Sequence, residues 1–225
     1  MRLDQTFLFT LLAPVLFSAC ETTWDAPQNR DAHGPEDVEH YIEMLESESR
    51  VESLQVGLVI RDLDLPSDAW VGDLGCGPGT FSLPLAEACS EGVVLASDVE
   101  PAQLDRLRER VAQAELRNVI PVLASYDDPH FPLGQLDLIL IVDTYHHLEN
   151  RVLYMHRLLD TLKPGGRLAL LEFKPGELPV GPPADHKPVA GQIRSELEQA
   201  GWEEIERFDD HPYHDFILYR PLSAE

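Results

Sequence analysis

Basic side chains are scarce in this sequence: 17 Lys and Arg stand against 40 Asp and Glu in 225 residues, a net charge of −23. A surface of that sign repels phosphate backbones, so nucleic acid is not an expected partner. Solubility or a salty habitat accounts for the excess acid without a basic partner. Cysteine is scarcer still, with only Cys20, Cys76 and Cys89. Their spacing suits neither a zinc knuckle nor a redox pair, and no metal is expected. Long apolar runs are missing too. The stretch at positions 7–17 is almost wholly apolar but holds 11 residues, about half of what a membrane-spanning helix needs. Internal repeats are absent. What remains is enough chain for one ordinary α/β domain with extensions and a buried core.

The short apolar stretch has the layout of a targeting segment. Arg2 opens a weakly basic head, and Leu16-Phe17-Ser18-Ala19-Cys20 closes it. Small residues before a cysteine resemble the bacterial lipobox, in which Cys20 would be lipidated and become the mature N-terminus. Positions 1–20 are therefore expected to be a lipoprotein-like signal that tethers the protein to a membrane in the bacterial cell envelope. Another cleaved signal, an uncleaved anchor and a cytoplasmic N-terminal helix are the alternatives. Positions 21–34 are polar, hold Pro27, Asn29, Asp31 and Gly34, and are expected to form a flexible tether. The remaining 35–225 form the folded domain.

The chemistry of that domain centres on Trp-Val-Gly-Asp-Leu-Gly-Cys-Gly-Pro-Gly-Thr at positions 70–80. An apolar strand ends in Asp73, and Gly75, Gly77 and Gly79 follow at alternate positions. Glycines there let the backbone turn sharply and approach a ligand where a Cβ would collide. The loop then delivers the ligand to the free N–H groups at the start of a helix. A dinucleotide fingerprint would need glycine at position 80, where Thr80 stands. Asp73 is expected at the C-terminal end of the first strand, the edge where open α/β sheets bind ligands, and a carboxylate there suits a cationic group.

This pattern resembles motif I of the class I S-adenosylmethionine (SAM) dependent methyltransferases. The resemblance implies that Asp73 and the loop from Leu74 through Gly75, Cys76, Gly77 and Gly79 face the methionine end of SAM. Val-Asp-Thr-Tyr-His-His at 142–147, Leu-Lys-Pro-Gly-Gly-Arg-Leu at 162–168, Glu-Phe-Lys-Pro-Gly at 172–176 and Leu-Pro-Val-Gly-Pro-Pro at 178–183 look like those of a bacterial, often exported subgroup. Those relatives carry a Trp-Gln-x-Pro-like segment before the first strand. Here only Leu54-Gln55 stands in its place, so the lid of the pocket is expected to differ.

Hydrophobic periodicity supplies the frame. Val38, Tyr41, Ile42 and Leu45 form one helical stripe, and a second helix is expected over 52–62. Downstream, strands at 93–97, 119–124, 136–142 and 167–173 alternate with helices at 81–89, 101–116 and 150–162. Lys163-Pro164-Gly165-Gly166 is expected to stop the last of these. Such alternation implies a parallel, doubly wound sheet. A helix at 189–200 and strands at 203–208 and 216–219 follow. The resemblance implies a Rossmann-like seven-stranded sheet in the order 3-2-1-4-5-7-6, with the N-terminal helices lying over the cofactor pocket.

Asp98 follows the second strand, 23 residues after Gly75. With Val99 it is placed to hold ribose hydroxyls, or else to cap the helix that begins at Pro101. The resemblance places Asp127, or its neighbour Asp128, at the adenine amino group; turn chemistry at Asp-Asp-Pro is the alternative. Asp143, Tyr145, His146 and His147 stand at the mouth of the fourth strand, where the acceptor would meet the methyl group. A histidine of near-neutral pKa serves as general base where the acceptor must lose a proton. Adjacent residues entering a helix point apart, so one of His146 and His147 is expected to act and the other to cap or pack the turn. His211 and His214 lie far along the chain, and Asp143, His146 and His147 lack a standard ligand spacing. Among aromatics placed to wall a pocket (Phe81, Tyr126, Tyr145, Phe173, Tyr213), Tyr145 is favoured. The expected function is SAM-dependent methylation of a small-molecule acceptor. The alternative is a non-catalytic envelope lipoprotein that binds SAM or a nucleoside in the same pocket.

Overall fold

The computed structural model describes residues 37–222; the expected signal at 1–20, with Cys20, and the tether at 21–34 lie outside them. Three short helices lead in: α1 (Val38–Leu45), α2 (Glu48–Leu54) and α3 (Val56–Leu63). The alternating core follows as β1 (Trp70–Leu74), α4 (Ser82–Ala88), β2 (Val93–Asp98), α5 (Pro101–Gln113), β3 (Val119–Leu123), β4 (Leu136–Val142), α6 (Arg151–Leu158) and β5 (Leu162–Phe173). Then come α7 (Gln192–Gln199), β6 (Trp202–Phe208) and β7 (His214–Pro221).

The strands form one sheet in the order β3-β2-β1-β4-β5-β7-β6. β1 to β5 pair in parallel, while β7 runs antiparallel to both β5 and β6. The expected seven-stranded, doubly wound fold is therefore the one observed. Side chains alternate across each strand, so a sheet covered on both faces needs apolar residues at successive positions. β4 shows this directly. Leu138 and Leu140 face a layer that includes Leu63, Leu85 and Leu107 of α3, α4 and α5, whereas Ile139 and Ile141 face Met155, Leu158 and Leu197 of α6 and α7. Trp202 is fully buried in the second layer, and its indole N–H donates to the Met155 carbonyl at 2.9 Å. A ring of that size fixes the end of α6 against β6 and satisfies its own polar atom.

Four of the element boundaries that differ from the sequence reading have a visible cause or consequence. The helix expected over 52–62 is two helices, because Gln55 adopts a left-handed conformation (φ 50°, ψ 46°) that ends α2 and starts α3. α6 stops at Leu158 and a 3-10 turn covers Leu159–Thr161. Lys163 to Gly166 do not lie outside the sheet as a stop signal. They belong to β5, since Leu162 already pairs with Leu136 and a register shift between Leu136 and Leu138 absorbs the extra residues. α7 begins at Gln192, three residues late, after Gly191 at φ 78°.

Candidate active site

The glycine loop is bound to the neighbouring strand by its own backbone. The N–H groups of Gly75 and Cys76 both donate to the Ser97 carbonyl, at 2.8 and 3.0 Å. Gly77 N–H donates to Asp98 Oδ2 at 2.8 Å, and Glu100 N–H to Asp98 Oδ1 at 2.9 Å. Gly75 sits at φ 72°, and a Cβ there would lie 2.3 Å from Thr144 Oγ1. At Gly77 (φ 54°) the nearest side-chain atom to such a Cβ is 3.4 Å away. Gly75 therefore lets the loop lean on the tip of β4, and Gly77 leaves room for a ligand.

These residues open on a cavity of about 1030 Å³, large enough for a nucleotide-sized ligand and a second small molecule. Gly75, Gly77, Asp98 and Val99 line one side, and Tyr41 and Leu45 of α1 lie over it. A recess of about 40 Å³ adjoins it through Gly75, Gly77, Leu45 and Arg50, and reaches Asp73, Cys76 and Thr80. Asp73 is 2% exposed and accepts a hydrogen bond from Ser82 Oγ at 2.5 Å. Burial raises its pKa to about 7; the Ser82 bond opposes that rise and the Asp98 charge adds to it. Burial also raises the pKa of Asp98, against the pull of its backbone N–H donors. Cys76 is held neutral chiefly by burial, with the charges of Asp73 and Asp98 adding, so its thiol is packing and not a nucleophile.

The opposite side is made of side chains. His146 and His147, on the 3-10 turn Tyr145–His147, both line the cavity. His146 Nδ1 lies 3.0 Å from both carboxylate oxygens of Glu172, whose Oε2 also accepts the His146 backbone N–H at 3.3 Å. Both side chains are buried, Glu172 at 1% exposure. A carboxylate accepts only from an N–H, so Nδ1 carries a proton, and in the neutral imidazole Nε2 is then the acceptor atom. His147 is exposed and lies against His146, with ring centroids 4.1 Å apart and planes tilted by 42°.

Tyr145 is placed elsewhere than expected. It is fully buried, its hydroxyl donates to Glu196 Oε2 at 2.7 Å, and Arg151 lies 5.6 Å from its ring centre. The first residue of the turn points into the helical layer while the next two point to the cavity. Asp127 does not line the cavity. It stands on an exposed turn, accepting from Ser125 Oγ at 3.0 Å, and its neighbours Ser125 and Tyr126 form the wall. The turn reading of Asp127 and Asp128 is the one the geometry gives.

Asp143, at φ 46°, accepts from Arg50 of α2 at 2.9 Å and lies 3.1 Å from His214 Nε2, in ion-pair range but without hydrogen-bond alignment. The sequence reading set His214 in a distant segment; the β5–β7 pairing, in which Phe173 faces His214, brings it to Asp143. His211 stays outside this cluster of contacts. Burial lowers its pKa, with the His214 charge next in effect. Glu172 was also missed. Its sequence signals are a charge at the end of a strand that is otherwise apolar from Leu168 and its place at the head of the Glu-Phe-Lys-Pro-Gly segment, neither of which points to His146.

The fold and strand order match the Rossmann-like fold of solved methyltransferases, with a glycine cradle opening on a cavity at the C-terminal strand edge. Residues 71–166 match a protein-family model described as "Methyltransferase domain". Curated relatives similar to this chain include the following two methyltransferases. Aklanonic acid methyltransferase DauC of Streptomyces sp. (strain C5) is 32% identical over 114 residues, covering 49% of this chain and 52% of that protein. The 27-O-demethylrifamycin SV methyltransferase of Amycolatopsis mediterranei (strain S699) is 28% identical over 118 residues, covering 52% and 43%. The chain thus spans about half the length of the curated relatives it matches. A solved SAM-dependent methyltransferase from Aquifex aeolicus superposes with a TM-score of 0.76 at 24% identity, over 81% of this chain and 97% of that one. The [4+2]-cyclase SpnF shares the fold too, with a TM-score of 0.65 at 16% identity, over 76% and 82%. That neighbour shows that the fold does not by itself fix the reaction.

The comparisons imply SAM as the cofactor, and the residues present fit it. Gly77 leaves the space that backbone contact with a ligand requires, and the Asp98 carboxylate keeps lone pairs free after its backbone bonds. Asp73 offers a carboxylate to a cation in the adjoining recess.

Proposed function

We propose that the protein transfers the methyl group of SAM to a small-molecule acceptor, with His146 as the general base. One observation carries the reading: a single cavity is lined both by the glycine cradle with Asp98 and by His146 backed by Glu172. The names of the two curated relatives describe methylation of small molecules, which supports an acceptor of that kind. When bound, SAM supplies an electrophilic methyl on a sulfonium. The cradle's part is to hold that end still, because positioning provides much of the rate in a displacement of this type. Asp98 binds the ribose hydroxyls and Asp73 the methionine ammonium. His146 Nε2 takes the proton that the acceptor atom loses as its new bond to carbon forms. The imidazolium so made is stabilised by the buried Glu172 carboxylate, which also fixes the ring's orientation. Asp143, held by Arg50 and His214, shapes the floor between the two halves.

Calorimetric titration of the protein with SAM and S-adenosylhomocysteine tests this. Wild type should bind both, and Asp98→Ala about 10- to 100-fold more weakly, the loss of charged hydrogen bonds. A folded wild type that binds neither overturns the proposal. Envelope tethering through a lipidated Cys20 is proposed beside it on the strength of Leu16 to Cys20 alone; mass spectrometry of the mature N-terminus from bacterial membranes tests that part.

A further inference from the structure

Three cations stand in the cavity wall, and two are matched by carboxylates: Arg50 by Asp143 at 2.9 Å and Arg151 by Glu196 at 2.8 Å. Lys187 is different. It follows the 3-10 turn Ala184–His186 in the connection from β5 to α7, is 6% exposed, and lines the cavity. Its Nζ donates to the Gly176 carbonyl at 2.7 Å and lies 5.9 Å from the Phe173 ring centre. Among the described residues it forms no ion pair. An ammonium has three donors, so two are left without a partner among the described residues.

Burying a charge without a counter-charge is costly, and such groups are normally paired. In a chain with 40 carboxylates, a lysine left unpaired beside a cavity leaves the place of its counter-ion to a ligand. Asp185, the nearest acid in sequence on this segment, is exposed and forms no ion pair with Lys187 among the described residues; His186 is exposed beside it. Phe173 joins this point to the chemistry, since its ring also lies 6.5 Å from that of His146. An anion at Lys187 and an atom reacting at His146 can therefore belong to one small molecule.

We infer that Lys187 is the anion-recognition residue of the acceptor half of the cavity, and that the acceptor carries a carboxylate. The inference rests on the methyltransferase reading and specifies its substrate class. One ammonium balances the single charge of a carboxylate. Lysine can also hold phosphate as a point charge, but a dianion would leave one charge unmatched here, since both arginines of this wall already hold carboxylates.

The test uses the full chain saturated with S-adenosylhomocysteine. Binding of a panel of aromatic and aliphatic carboxylates, each beside its neutral carboxamide, is measured by calorimetry, with inorganic phosphate as a further probe. Wild type should bind at least one carboxylate about 10-fold or more tightly than its amide. Lys187→Gln, which keeps a donor for Gly176, should erase that preference, and Lys187→Arg should retain part of it. Affinity for S-adenosylhomocysteine should be the same in all three, which also reports that the variants are folded. No carboxylate preference in wild type, a preference that survives in Lys187→Gln, or tighter binding of phosphate than of every carboxylate would overturn the inference. Failure of S-adenosylhomocysteine itself to bind would instead overturn the methyltransferase reading, and the carboxylate panel can be run without it.

Discussion

The two sides of the cavity are built in different ways. The cofactor side is backbone: Gly75, Cys76 and Gly77 are each hydrogen-bonded to the end of β2, and the loop, β1 and α4 are consecutive in the chain. The side proposed for the acceptor is assembled from side chains of separate segments, with His146 after β4, Glu172 at the end of β5, Lys187 in the following connection and His214 on β7. A backbone cradle is specified by local sequence and changes little when side chains change. A side-chain wall can be altered residue by residue, which suits the half of a site that must select an acceptor.

The contrast can be broken at either side. The largest effect is expected at the acceptor side: His146→Gln should lower turnover of any acceptor the wild type methylates by about 100- to 10,000-fold, the usual worth of a general base. Its affinity for S-adenosylhomocysteine, measured in parallel, should hold. Weakened cofactor binding would mean that the two sides are one unit.

On the cofactor side, Asp73 gives a pH signature. Its carboxyl is raised from 3.8 to about 7 in the folded state. Between those values the unfolded chain has released the proton and the folded chain keeps it. Stability from this group therefore falls as pH rises from about 4 to 7, by up to about 4 kcal/mol, and is level above that. Urea melts of wild type and Asp73→Asn across this window should show wild type losing ground steadily to the variant; parallel curves would refute the raised value.

Gly75→Ala should cost about 3 kcal/mol, because it combines a left-handed backbone with a clash against Thr144. Thermal and urea melts measure it, and a change of only a few tenths would show that the loop yields. The smallest effect is expected from Tyr145→Phe. It removes one hydrogen bond to Glu196, about 1 kcal/mol of stability, and should leave turnover within about twofold. A large loss of turnover would return Tyr145 to the site.

The same division decides what could be read from sequence. Strand periodicity, the alternate glycines, Asp73 and Asp98 are local patterns, and the structure puts all of these residues around the cradle. Tyr145 was misplaced because in a 3-10 turn successive side chains diverge, and the sequence does not say which one faces in. Gln55 gave no sign of a break, since a left-handed glutamine has no compositional signature. Glu172, Lys187 and His214 were missed for a different reason. Their roles arise from contacts across the β5–β7 pairing and the crossing of a Pro-rich connection over the cavity, and no spacing along the chain encodes those.

The position of β7 has a consequence for biosynthesis. It is made after β6 yet lies inside the sheet, between β5 and β6. Until it emerges, β5 presents an open edge and β6 has no partner in the sheet, so a nascent chain passes through a stage open to association with other chains. The same strand delivers His214 to Asp143. Chains cut before position 214 should therefore be retained by chaperones or aggregate, even though every residue of the glycine cradle has already been made.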